Sequence, residues 1–103
     1  MSNDLALLSA TNLVTLFRCG KASPVEALRA VLARVDQHNP TLNAFQFMDR
    51  DGALKAAKAS ERRWKKGKPL GPVDGVPTTI KDTLATIGMP TLFGTRATDP
   101  KGP

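Results

Sequence analysis

Lys81 is one of the side chains of this sequence that could do chemistry. It follows a β-prone run, Val76-Pro77-Thr78-Thr79-Ile80, and precedes Asp82. A lysine in water, with a pKa of ~10.4, is protonated at neutral pH and is no base. Desolvation disfavours the charged form and lowers that value by several units, and the neutral amine then takes protons. On residue type alone a second reading stands beside this one, because a lysine after a strand is most often a solvated surface residue. Asp82 is either a partner that helps to hold such a site or a turn residue.

The other reactive types are sparse. His38 is the single histidine and falls at a helix C-terminus, where it caps or faces solvent. Cys19 is the single cysteine, which excludes an internal disulfide and a multi-cysteine metal site. With no histidine near it in sequence, Cys19 reads as a small buried apolar group. Trp64 sits among Arg62, Arg63, Lys65 and Lys66. It reads as a docked helix end, the alternative being a stacking platform for a nucleic-acid base. No grouping of ligands predicts a metal site, and no cofactor motif is present. The four serines are Ser2, Ser9, Ser23 and Ser60. Ser9 and Ser23 are explained as helix caps.

The elements that must position these groups follow from spacing. Ser9 caps a helix with Leu13, Val14, Leu16 and Phe17 on one stripe, and Gly20 ends it. Ser23-Pro24-Val25-Glu26 is a capping box with proline at the first helical position. Val25, Leu28, Val31, Leu32 and Val35 then share a face, and Asn39-Pro40 predicts the stop. Residues 42–48 predict a short strand or extended segment. Asp49 or Asp51 caps a third helix carrying Ala53, Leu54, Ala57 and Trp64, which ends at Gly67. Residues 68–77 hold three prolines and two glycines, so no helix continues there. Residues 76–80, rich in Cβ-branched side chains, predict the first true strand. So late a strand has no partner in the remaining sequence, and unpaired strand edges are unfavourable.

The run Leu70-Gly71-Pro72-Val73-Asp74-Gly75-Val76-Pro77-Thr78-Thr79-Ile80-Lys81-Asp82 closely resembles the lysine motif of the amidase signature family. The match continues through Thr86-Ile87-Gly88-Met89-Pro90-Thr91 and Phe93-Gly94. Upstream, the Ser-Pro-x-Glu helix start and the stretch from Asn39-Pro40 to Asn43-Ala44-Phe45 are also similar to it. The sequence departs from the family's pattern at Leu92, where a second Thr is common, and at Thr95, where Ser is common.

The resemblance implies an α/β fold, a mixed β-sheet flanked by helices. Residues 1–103 would be an incomplete N-terminal part of one such domain. In that part, a helical region spans about 9–67 and the lysine-motif strand and loops about 68–103. It also implies that Lys81 is the catalytic base of a Ser–cis-Ser–Lys triad that hydrolyses a carboxamide C–N bond through an acyl-enzyme. No serine here lies in the Gly- and Ser-rich context where the family carries its bridging serine and nucleophile. The chain alone is therefore expected to be inactive. The alternative within the family is the amidotransferase A-subunit that releases ammonia from glutamine for tRNA-linked amidation. Outside it, the alternative is a helical interaction module with a basic face.

Composition fits these expectations. The chain has 103 residues, 41% hydrophobic and 23% charged, the range of soluble globular proteins, with an aromatic share of only 5%. The net charge of +6 is spread along the chain, and its densest patch lies at a helix end that favours cations, so nucleic acid is not the expected partner. The expected partners are a small-molecule amide, the remainder of the same domain and, as a further option, a second copy of the chain. No signal peptide and no apolar run near the ~20 residues of a membrane span is visible, and one cysteine suits a reducing cytoplasm.

Overall fold

The computed structural model describes residues 4–95 and 97. Three α-helices carry the fold: α1 over Ala10–Cys19, α2 over Pro24–Leu42 and α3 over Arg50–Lys65, preceded by a 3₁₀ turn over Leu5–Leu7. Each start signal works through its own hydrogen bond. The Ser9 hydroxyl accepts from the Asn12 amide at 3.1 Å, and Asp49 accepts from the Gly52 amide at 3.0 Å. At α2 the capping box is complete: the Glu26 amide donates to Ser23 Oγ and the Ser23 amide to Glu26 Oε1, both at 3.1 Å. Pro24 at the first helical position is fully buried. α1 stops at Gly20, whose φ of 73° lets its amide turn back to the carbonyls of Leu16 and Phe17.

The helical stripes meet in two clusters. Leu13, Phe17 and Ala27 form one, with Leu5, Leu8, Trp64 and Val76 packed on its rim. Val25, Leu28 and Ala57 form the other, with Leu32, Ala53 and Leu54 around them. The small residues of α3 let it lie close against α2. Trp64 is a docked helix end: its ring centroid is 6.1 Å from that of Phe17, and the Arg18 guanidinium lies 5.9 Å from the Trp64 ring.

Four sequence expectations are not met among the described residues. α2 does not stop at Asn39-Pro40 but runs through Pro40 to Leu42. Proline removes one helical N–H, and this close to the helix end the remaining bonds hold. The Asn43 amide reaches the Asn39 carbonyl at 2.7 Å, and Asn39 Oδ1 accepts from the Phe45 amide at 2.9 Å. Residues 43–48 form no strand. Residues 76–80 take no regular secondary structure and pair with no described segment, so they form no strand either. A strand exists by its ladder, and no described segment offers one to them. Among the described residues the architecture is thus helical without a strand, and the sole bridge is an isolated one between Thr86 and Met89. The fourth is Cys19, which is exposed rather than buried. Two residues beyond Phe17 an α-helix has turned by about 200°, which places Cys19 on the opposite side from the core.

Candidate active site

The segment that carries Lys81 is fastened at two places. The first is Asp74. Arg63 grips its carboxylate with two bonds, Nε to Oδ2 at 2.7 Å and a terminal guanidinium nitrogen to Oδ1 at 2.6 Å. The Leu70 amide donates to Oδ2 at 2.9 Å, and Trp64 Nε1 donates to the Asp74 carbonyl at 2.9 Å. The Asp74 side chain is only 5% exposed. Its pKa lies well below the usual carboxylate range, chiefly through the Arg63 hydrogen bonds; burial opposes the shift, and the Leu70 amide and Ser60 hydroxyl add to it. The Ser60 hydroxyl is fully buried and makes no hydrogen bond of ordinary geometry, but it lies near enough to favour the charged form.

Gly75 explains how the chain passes this point. Its φ is 88°, and a Cβ there would stand 2.5 Å from Ser60 Oγ and 2.6 Å from Pro24 Cγ. Only glycine permits both the left-handed backbone and the close crossing over α2 and α3. Val76 then tucks against the first cluster, and the chain emerges at Thr78, Thr79, Ile80 and Lys81, all exposed.

The second fastening is Asp82. Its Oδ1 accepts from the Leu92 amide at 2.8 Å, its carbonyl from the Phe93 amide at 3.2 Å and its Oδ2 from the Gly94 amide at 3.2 Å. Phe93 and Gly94 have φ values of 53° and 70°. The left-handed turn there lets the Leu92 and Gly94 amides each reach one carboxylate oxygen of Asp82 while the Phe93 amide reaches its carbonyl. Asp82 thereby closes residues 82–94 into a loop, with the Lys81 carbonyl accepting from the Leu84 amide at 3.0 Å where the loop begins.

A family model described as Amidase matches residues 26–103. This chain belongs to the amidase family. It is 43% identical over 93 residues to the glutamyl-tRNA(Gln) amidotransferase A-subunit of Salinispora arenicola, which is 90% of this chain and 19% of that protein. The same-named protein of Myxococcus xanthus is 44% identical over 93 residues, with the same 90% and 19% coverage. The acylamidase of Rhodococcus erythropolis is 41% identical over 91 residues, 88% of this chain and 19% of that protein. The chain spans about a fifth of the length of these relatives. No solved structure gives a significant match.

Within this amidase segment, Lys81 and Asp82, neighbours in sequence, stand where the closed loop begins, and Lys81 is exposed. The structure brings no described serine into that loop: Ser9 and Ser23 cap helices, Ser60 lies beneath Gly75, and Ser2 lies outside the described residues. His38 is exposed on the last turns of α2. Among the described residues no cluster of His, Cys, Asp and Glu suits a metal ion, and no helix is long and apolar enough to cross a membrane. Sequence reasoning missed three contributors: Arg63, Asp74 and Gln46, whose amide nitrogen donates to Asp82 Oδ1. Arg63 and Asp74 left a trace, opposite charges on either side of a Pro/Gly turn. Gln46 left none.

Proposed function

We propose that this chain supplies the base, Lys81, of an amidase that hydrolyses a carboxamide C–N bond. The observation that carries the reading is an exposed lysine on a segment anchored at Asp74 and closed at Asp82, in a chain of the amidase family. In the proposed reaction a serine oxygen attacks the amide carbonyl. Its proton passes through a bridging serine to the neutral Lys81 amine. The tetrahedral intermediate, its oxyanion held by backbone N–H groups, collapses, and ammonia or an amine leaves with that proton. Water then hydrolyses the acyl-enzyme. Both serines would come from the remainder of the domain, of which residues 1–103 are the N-terminal part. The same remainder would supply the sheet for residues 76–80 and the cover that desolvates Lys81. Asp82 shapes the loop and takes no proton. No cofactor enters, and a cytoplasmic setting suits the free Cys19.

A second reading has support in the relatives' names. Relatives named as the glutamyl-tRNA(Gln) amidotransferase A-subunit are 37–44% identical, a range that includes the 41% of the acylamidase. In that reading the amide is glutamine, and partner subunits and ATP are needed. A free-standing amidase hydrolyses simple amides without either, so activity on glutamine that appears only with partners would favour the second reading.

The test of Lys81 is substitution in an amidase carrying this chain. Lys81→Ala should lower kcat/KM for a simple aliphatic amide by at least ~10²–10⁴-fold, the loss typical of a general base. Lys81→Arg should fail almost as badly, because guanidinium stays protonated. Circular dichroism should show both variants folded. Near-full activity of Lys81→Arg would exclude proton relay and leave Lys81 a fixed positive charge.

A further inference from the structure

We propose that Gln46 is a positioning residue for Lys81, holding the lysine loop in place against the helices; the inference rests on Lys81 being the base of the amidase. The Gln46 side-chain nitrogen donates to Asp82 Oδ1 at 3.2 Å and to the Pro90 carbonyl at 3.2 Å. These acceptors lie on the two arms of the loop, 36 and 44 residues away in sequence. An amide NH₂ has two donor hydrogens, so one nitrogen spans both arms. The orientation is fixed by chemistry, since a flipped amide would set its oxygen against two acceptors.

Gln46 is itself anchored. Phe45 donates its amide to Asn39 Oδ1 at 2.9 Å, and Asn39 Nδ2 donates to the Phe45 carbonyl at 3.5 Å. A continuous path therefore runs from the last turn of α2 through Asn39, Phe45 and Gln46 to Asp82, the residue bonded to Lys81. The large apolar side chains of the loop contribute little to this, although Met89 and Leu92 are half-buried. Ile80, Leu84, Ile87 and Phe93 are 51%, 60%, 101% and 60% exposed. The bonds to Asp82 give the loop its internal shape. Beyond the clamp at Asp74, the Gln46 bonds link that loop, and the lysine at its mouth, to the end of α2. A base displaced by about 1 Å loses up to ~10²-fold in rate. Groups that bind substrate elsewhere are untouched, so the loss falls on kcat and not on KM.

The test compares Gln46→Glu with Gln46→Lys in an amidase carrying this chain. Glutamate has the same shape but turns both donors into acceptors, facing a carboxylate and a carbonyl. Lysine keeps donors for both. Gln46→Glu should lower kcat on a simple aliphatic amide by roughly 10- to 10²-fold with KM unchanged. It should also speed amide hydrogen exchange across residues 82–94. Gln46→Lys should keep kcat and slow exchange close to those of the parent. Unaltered exchange or unaltered kcat in Gln46→Glu would overturn the inference, as would equal losses in both variants. Lys81→Ala in the same enzyme separates the two claims. If it is inactive while Gln46→Glu behaves as the parent, only the role of Gln46 falls. If Lys81→Ala stays active, the assignment of the base itself falls.

Discussion

Gly75 is the residue on which the approach to Lys81 turns. Its missing side chain admits Ser60 from α3 and Pro24 from α2 to the same backbone position, and its positive φ redirects the chain between two prolines, Pro72 and Pro77. Gly75→Ala meets two penalties. The left-handed backbone costs about 1 kcal/mol for a residue with a Cβ. The new methyl also overlaps atoms that are themselves buried, and overpacking of this kind costs about 1–3 kcal/mol. The expected outcome is a loss of about 2–4 kcal/mol in urea unfolding, with the Trp64 fluorescence altered because its indole N–H bonds to the neighbouring Asp74 carbonyl. A stability within about 0.5 kcal/mol of the parent, the ordinary scatter of surface substitutions, would show that the crossing has room for a methyl group.

At the scale of elements, α2 is the scaffold and α3 carries the clamp. Leu28 is 8% exposed, in contact with α3 through the cluster it shares with Ala57. Leu28→Ala should lower stability by about 2–4 kcal/mol, through lost burial and a residual cavity. An effect below about 1 kcal/mol would mean that the α2–α3 seam closes freely around the gap. The clamp between α3 and the lysine segment has a pH signature. Asp74 has a lower pKa in the folded chain than the ~3.9 of an unfolded aspartate, so below about pH 5 the unfolded state binds more protons. The stability that the Arg63–Asp74 pair contributes is therefore fully present above about pH 5 and is lost as the pH falls toward the depressed folded value. Thermal melts between about pH 6 and pH 2.5 should fall more steeply for the parent than for Asp74→Asn. Parallel curves would remove Asp74 from the acid-sensitive groups.

At the scale of the whole molecule, apolar side chains gather on the outside of the lysine segment. Leu70, Val73, Ile80, Leu84, Ile87 and Phe93 are all more than half exposed, Ile87 completely. A surface of that kind favours association, and strand-prone residues 76–80 keep unpaired N–H and C=O groups beside it. The purified 103-residue chain is expected to hydrolyse no amide above background, because its described serines are caps or buried. It should also elute from size exclusion at an apparent mass that rises with concentration. Turnover by this chain alone would place a nucleophile among its own residues and overturn the proposed division of the triad.

Much of this was legible from local chemistry. Ser9, Ser23 and Asp49 cap the helices that their spacing predicts, because a cap depends on residues within three positions. The stripes of α1, α2 and α3 fall where the 3.6-residue period puts them, and Gly20 and Gly67 end or follow helices as their backbone freedom predicts. The family was also legible, since it resides in an ordered run of residues. Tertiary structure alone decided the rest. It decided whether Pro40 breaks a helix, through side-chain bonds from Asn39 to Phe45 that no propensity records. It paired Arg63 with Asp74 and set Gln46 across the loop from Asp82, contacts between groups 11 and 36 residues apart. Such contacts depend on where separate elements dock, and sequence spacing carries information only along a single element.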